Sequence, residues 1–139
     1  MEERKTGKLY IVGTPIGNLG DITVRALEVL KSADLIACED TRHTLGLLTH
    51  FGIRKPLVSY YKPKEKEGAE RILASLRRGD TVALVTDAGM PCISDPGALL
   101  VGRAVNEGIE VSSAPGPTAV TTAMALSGIC EPVFVFIGF

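Results

Sequence analysis

The chain has 139 residues, 45% of them hydrophobic and 22% charged, and a formal net charge of −1. A chain of that size holds one cored domain more comfortably than two. The near-neutral balance excludes a protein that coats polyanions by bulk attraction, so any nucleic-acid contact has to come from a local cluster.

After a charged lead, KLYIVG (8–13) is a short apolar run of strand type, and DITVRALEVLKSA (21–33) follows as a helix. Ile22, Ala26, Val29 and Leu30 share one face at helical spacing, with Asp21 as the expected N-cap. DLIACE (34–39) predicts a second strand, and TRHTLGLLTHFG (41–52) a helix with Leu45, Leu48 and Phe51 as its apolar positions and Gly52 as its stop. PLVSYY (56–61) is a weaker third strand. KPKEKEGAERILASLRRGD (62–80) then carries the stripe Ala69, Ile72, Leu73 and Leu76, with Glu65 and Glu67 at the positive end of the helix, Arg77 and Arg78 at the negative end, and Gly79 suited to C′. TVALVTD (81–87) is nearly unbroken apolar, as a strand covered on both faces should be. PGALLVGRAVNEG (96–108) continues as a helix with Pro96 in its first turn. IEVSSA (109–114), PGPTAVTTAMALSG (115–128) and VFVFIGF (133–139) complete the series as strand, helix and strand. Strands alternating with helices at this spacing predict an α/β domain with a mainly parallel sheet of about five strands. The last strand stops with no polar exit, so a longer natural chain is expected.

Cys38, Cys92 and Cys130 form neither a C-x-x-C pair nor a zinc pattern with His43 and His50, and read as reduced, buried thiols with no metal. No segment resembles a secretory leader or reaches the roughly 18 apolar residues of a membrane span, which points to the cytoplasm.

In a parallel sheet the loops GTPIGNLGD (13–21), DAGMPCISDPG (87–97) and APGPT (114–118) emerge on one edge, where open α/β sheets bind their ligands. Glycine admits close approach of backbone, and proline stiffens it. Loops in α/β units typically take about 2–6 residues, so the long second loop is the first suspect for a site. The first loop matches neither phosphate-binding glycine motif and has no following Lys, which disfavours a nucleoside triphosphate.

VGTPIGNLGDIT (12–23), EDTRHT (39–44), TDAGMPCISDPG (86–97) and APGPTA (114–119) stand in that order and cover most of the chain. Together they resemble the successive signatures of the ribosomal RNA small subunit methyltransferase I family, within the tetrapyrrole methylase-like (class III) superfamily of S-adenosylmethionine enzymes. The resemblance implies that residues 1–139 are the N-terminal α/β domain of a two-domain protein, with S-adenosyl-L-methionine as methyl donor held between the domains. It implies 2′-O-methylation of the ribose of a cytidine in the decoding region of 16S rRNA. Small-subunit rRNA or the 30S subunit would be the partner, and the enzyme a homodimer in the bacterial cytoplasm. For the 139-residue piece alone, weak or absent cofactor binding and no turnover are expected. Carried over by motif, the cofactor contacts fall on Thr14, Pro15, Asp87, Met90, Ile93, Thr118 and Ala119.

Asp87 or Asp95 would complement a cationic cofactor. Asp95 stands before a Pro at a first helical turn and reads first as a helix cap. In EDTRHT, Glu39 or Asp40 is a candidate base and Arg42 a phosphate fork, with helix capping by Asp40 or Thr41 and local pairing of Arg42 as the plain alternative. His43 reads as a solvated helix residue. IRKPLVSYYKPKEK (53–66) interleaves Arg54, Lys55, Lys62 and Lys64 with Tyr60 and Tyr61, which reads first as a charged loop beside a strand end and second as a pattern that suits unstacked nucleotides. Two other readings remain: a related methyltransferase acting on a tetrapyrrole precursor or protein residue, and a non-catalytic binding or dimerisation module.

Overall fold

TVALV sets the architecture, because a strand with no polar side has to be covered twice. The computed structural model describes residues 5–138. Its strands are β1 (Lys8–Val12), β2 (Leu35–Cys38), β3 (Leu57–Ser59), β4 (Thr81–Leu84) and β5 (Glu110–Ala114). They form one sheet in the order β3-β2-β4-β1-β5, and every pairing is parallel. The helices are α1 (Val24–Ser32), α2 (Thr41–His50), α3 (Glu65–Arg77), α4 (Ala98–Asn106) and α5 (Ala119–Leu126).

Successive strand residues point to opposite faces, and the packing follows that alternation. Val82 and Leu84 of β4 join Leu9, Ala69, Ile72, Leu73, Leu76, Leu100 and Ala104 under α3 and α4. Ala83 and Val85 join Val12, Ala26, Leu30, Ile36 and Leu48 under α1 and α2. The stripe read from α3 is fully buried at all four positions, and Gly79 takes the left-handed conformation at φ +100° just past the helix. Tyr60 is part of the first core and donates its hydroxyl to Glu65 Oε1 at 3.1 Å, so it is no stacking platform for bases.

Several local expectations are corrected. Asp21 does not cap α1: it closes a short 3-10 turn (Leu19–Asp21), and the cap is Thr23, whose hydroxyl accepts from Ala26 N at 2.9 Å. Asp95 does not cap α4, which starts behind Gly97 with no side-chain cap, so Pro96 precedes the helix rather than opening it. Leu45 is exposed where Leu48 is buried. All three cysteines are free thiols, but only Cys38 is buried, and Cys130 is exposed. Residues 133–138 form no strand. Strand propensity is realised only against a ladder partner, and this segment pairs with neither edge strand; Phe139 of the predicted strand lies outside the described residues.

Chain order reverses between β1, whose connection runs toward β2, and its neighbour β4, whose connection runs toward β5. That juncture is a topological switch point, and crevices open at the carboxyl ends of strands there.

Candidate functional site

Backbone contacts clip the three loops together at the switch point. Thr14 and Gly89 exchange both amide-to-carbonyl hydrogen bonds at 3.0 Å, an isolated antiparallel bridge between the loops after β1 and β4. The buried Thr14 hydroxyl adds a bond to Thr86 O at 3.1 Å. Gly13 N donates to Ala114 O at 3.1 Å, joining the third loop. Glycine is required at the crossing: a Cβ on Gly13 would stand 2.7 Å from Gly116 Cα and 2.9 Å from Met90 Sδ.

The long loop after β4 holds two non-glycine residues in the left-handed region, Cys92 at φ 73° and Ser94 at φ 58°. Such conformations cost of order 1–3 kcal/mol each and cluster at ligand sites. Here they bend the loop so that Met90, Ile93, Ser94 and Asp95 line one wall of a cavity of ≈ 520 Å³. Its other walls are Glu39 from the end of β2, Thr86 and Asp87 from the end of β4, Thr118 and Ala119 at the start of α5, and Phe136 from the C-terminal segment.

Glu39, Asp87, Met90, Ile93, Thr118 and Ala119 thus share one cavity. Thr14 lies behind it as the clip, and Pro15 lines a neighbouring groove. Asp40 and Arg42 sit apart, on a shallower depression with Glu39, Ser59 and Tyr61. Asp40 caps α2 by accepting from Arg42 N at 2.9 Å. The Arg42 side chain is 94% exposed, with its Nε 3.9 Å from Asp40 Oδ1.

Three carboxylates border this cavity. Burial pushes Glu39 above the usual carboxylate range, with Asp87 and then Asp95 adding to the shift. Burial also raises Asp95, with the Thr86 side chain opposing and Asp87 adding to the rise. Asp87 Oδ1 is buried and has no hydrogen-bond partner. A buried carboxylate oxygen without a donor is costly and calls for a cationic or hydroxyl-bearing ligand. Among the described residues no group of His, Cys, Asp and Glu is placed to hold a metal, and no helix is long and apolar enough to cross a membrane.

Asp95, read first as a helix cap and otherwise as a complement to a cationic cofactor, faces the cavity. Two further contributors were not read as part of the site. His43 donates from Nε2 to the Asp87 carbonyl at 2.9 Å, tying α2 to the loop after β4. Phe136 arrives from the C-terminal segment, and no local signal marks it.

A parallel sheet with glycine and proline loops closing an acid-lined cavity at its switch point defines an α/β ligand-binding domain. The chain belongs to the Tetrapyrrole (Corrin/Porphyrin) Methylases, whose family profile matches residues 8–133. Methyltransferases of this family take their methyl group from S-adenosylmethionine. Among curated relatives, the ribosomal RNA small subunit methyltransferase I of Thermotoga maritima is 54% identical over 96% of this chain and 60% of its own length. The protein of the same name from Escherichia coli O157:H7 is 51% identical over 99% of this chain and 48% of its own. The chain spans about half the length of the curated relatives it matches. Among solved structures, uroporphyrin-III-C-methyltransferase from Thermus thermophilus superposes with a TM-score of 0.67 at 28% identity, over 87% of this chain and 53% of that one. A cobalt precorrin-4 methyltransferase of cobalamin biosynthesis gives a TM-score of 0.64 at 25% identity, over 85% and 49%.

Proposed function

We propose that the full-length protein transfers a methyl group from S-adenosylmethionine to the ribose 2′-hydroxyl of a cytidine in the decoding region of 16S rRNA. The names of the relatives at about half identity supply the acceptor class. The observation that carries the chemistry is the cavity itself, bordered by Glu39, Asp87 and Asp95 and holding an unpartnered Asp87 oxygen.

The residues fit the donor. A sulfonium is cationic and its ribose carries hydroxyl donors, matching the orphaned carboxylate oxygen, while Met90, Ile93 and Ala119 offer apolar walls. Thr14 and the Gly13–Gly116 crossing hold those walls in register. When bound, S-adenosylmethionine supplies an electrophilic methyl group on a sulfonium sulfur. Alignment of an acceptor oxygen can supply much of the acceleration in such an in-line transfer. Glu39 takes the hydroxyl proton: it reaches the cavity, and its raised pKa lies nearer neutrality, where a general base works best. Asp40 is already committed to capping α2. Arg42, 94% exposed and paired only loosely with Asp40 at 3.9 Å, would pair with a backbone phosphate.

Completion of the cleft by a second domain, a homodimeric assembly and a cytoplasmic location belong to the same proposal. Donor label incubated with the full-length protein and small subunits lacking the modification should appear in 16S rRNA at an alkali-resistant, ribose-methylated cytidine. Label confined to a tetrapyrrole or to protein would overturn the assignment. No binding of S-adenosylmethionine at millimolar concentration would favour a non-catalytic module.

A further inference from the structure

A second groove, also of ≈ 520 Å³, adjoins the donor cavity and shares Ile16, Asp87 and Ala88 with it. Its walls come from the loop after β1 (Pro15, Ile16, Asn18) and from one face of α2 (His43, Gly46, Leu47). Resting on the function proposed above, we propose that this groove receives the base of the acceptor nucleotide, extruded from the RNA, and that it selects a base with an exocyclic amino group.

Three observations converge on that occupant. The first is position: a nucleotide whose base lies here has its ribose at the shared wall, next to Glu39 and the donor cavity. The second is Gly46. It sits in the interior of α2, where glycine is the poorest helix former after proline, yet a Cβ there would meet nothing within 4 Å. Packing does not require glycine at this site, and the missing side chain leaves the floor of the groove open to a flat ring. Pro15 and Leu47 add apolar surface, as expected of pockets that hold flipped bases.

The third is the tautomer of His43. Its Nε2 faces the Asp87 carbonyl at 2.9 Å, and a carbonyl only accepts, so Nε2 carries the proton. In the neutral ring Nδ1 is then an acceptor, complementary to an amino group and not to a carbonyl oxygen. Arg42 stands one residue before His43 on the same helix, its side chain open to solvent for the phosphate that accompanies the base.

The test uses full-length protein and unmethylated small subunits. In the series Gly46→Ala, Gly46→Leu, Gly46→Trp, KM for the subunit should rise progressively, by tenfold or more at Trp, while the Kd for S-adenosylmethionine measured by calorimetry stays within twofold. Melting temperature should hold or rise at Gly46→Ala, which separates loss of fit from loss of fold. His43→Ala should also erode discrimination between subunits carrying C and U at the target by tenfold or more. Unchanged KM at Gly46→Trp overturns the proposal, and so does loss of donor binding in step with side-chain size, which would assign the groove to the donor. Failure of the wild-type protein to methylate subunits would instead overturn the function on which it rests.

Discussion

Glu39 and Asp95 both border the proposed donor cavity with pKa values raised by burial. A carboxyl whose folded value lies above its unfolded one binds protons in the fold first, so stability falls as pH rises through the interval between the two and stays lowered above it. Glu39→Gln and Asp95→Asn should therefore be more stable than the parent chain at neutral pH, by less than about 1 kcal/mol each after solvent screening. The gain should vanish below the ordinary carboxylate range. Denaturant melts of this chain at pH 3 and pH 7.5 check the sign, and a penalty at pH 7.5 would contradict it. If Glu39 is the base, Glu39→Gln in the full-length enzyme should also lower kcat by 10²-fold or more with donor affinity kept. Gly13 tests the loops differently. Gly13→Ala puts a methyl group against Gly116 backbone and Met90, and overpacking of this kind costs about 1–3 kcal/mol. Donor binding by the full-length protein should weaken at least tenfold in calorimetry.

At the scale of elements, strands and helices are legible because burial imposes a period. The stripe of α3 and the unbroken run of β4 each announce which faces are covered, and both are buried, save Thr81 at the start of β4. Caps are less legible, because any Asp, Thr or Ser within a few residues of a helix start can serve and only the backbone decides. DIT offered Asp21 first, but the preceding 3-10 turn consumes it and delivers Thr23 to the cap in extended conformation at φ −78°, ψ 152°. Thr23→Ala should cost about 1 kcal/mol in chemical denaturation, and Asp21→Ala less than about 0.5 kcal/mol. The reverse order would restore Asp21 as the cap. The DP pair before α4 misled in the same way: Gly97, at φ +142°, inserts a turn, and Asp95 is left facing the cavity instead of the helix. Of the site, the three loops and Glu39 were readable because parallel strands deliver their loops to one edge. The groove beside α2 was not, since Gly46 and Leu47 become its floor and wall only once α2 is docked against the loop after β1.

Across the whole molecule, order is unevenly supported. β4 and β1 occupy the middle of the sheet with helices on both faces, whereas α5 buries none of its eight residues. Beyond α5, Val133, Val135 and Ile137 are 79%, 83% and 89% exposed. Isolated helices shorter than about 12–15 residues are marginal in water even with good caps, and α5 has eight residues, its first turn closed by bonds of Thr121 and Thr122 back to Thr118. An apolar face this open marks an interaction surface. It flanks the proposed donor cavity, to which Thr118, Ala119 and Phe136 contribute. In the 139-residue chain, amide hydrogen exchange should therefore be slow in β1, β4 and α3, whose opening approaches global unfolding, and close to unprotected from α5 onward. In the full-length protein, with the proposed second domain over this face, the same α5 amides should slow at least tenfold, and saturating S-adenosylmethionine should slow them further. That order of protection also accounts for the weak donor binding expected of the shorter chain, which would have to order α5 at the cost of binding free energy. Protection of α5 equal to that of α3 in the 139-residue chain would show that the face needs no cover, and would remove this reason for weak binding.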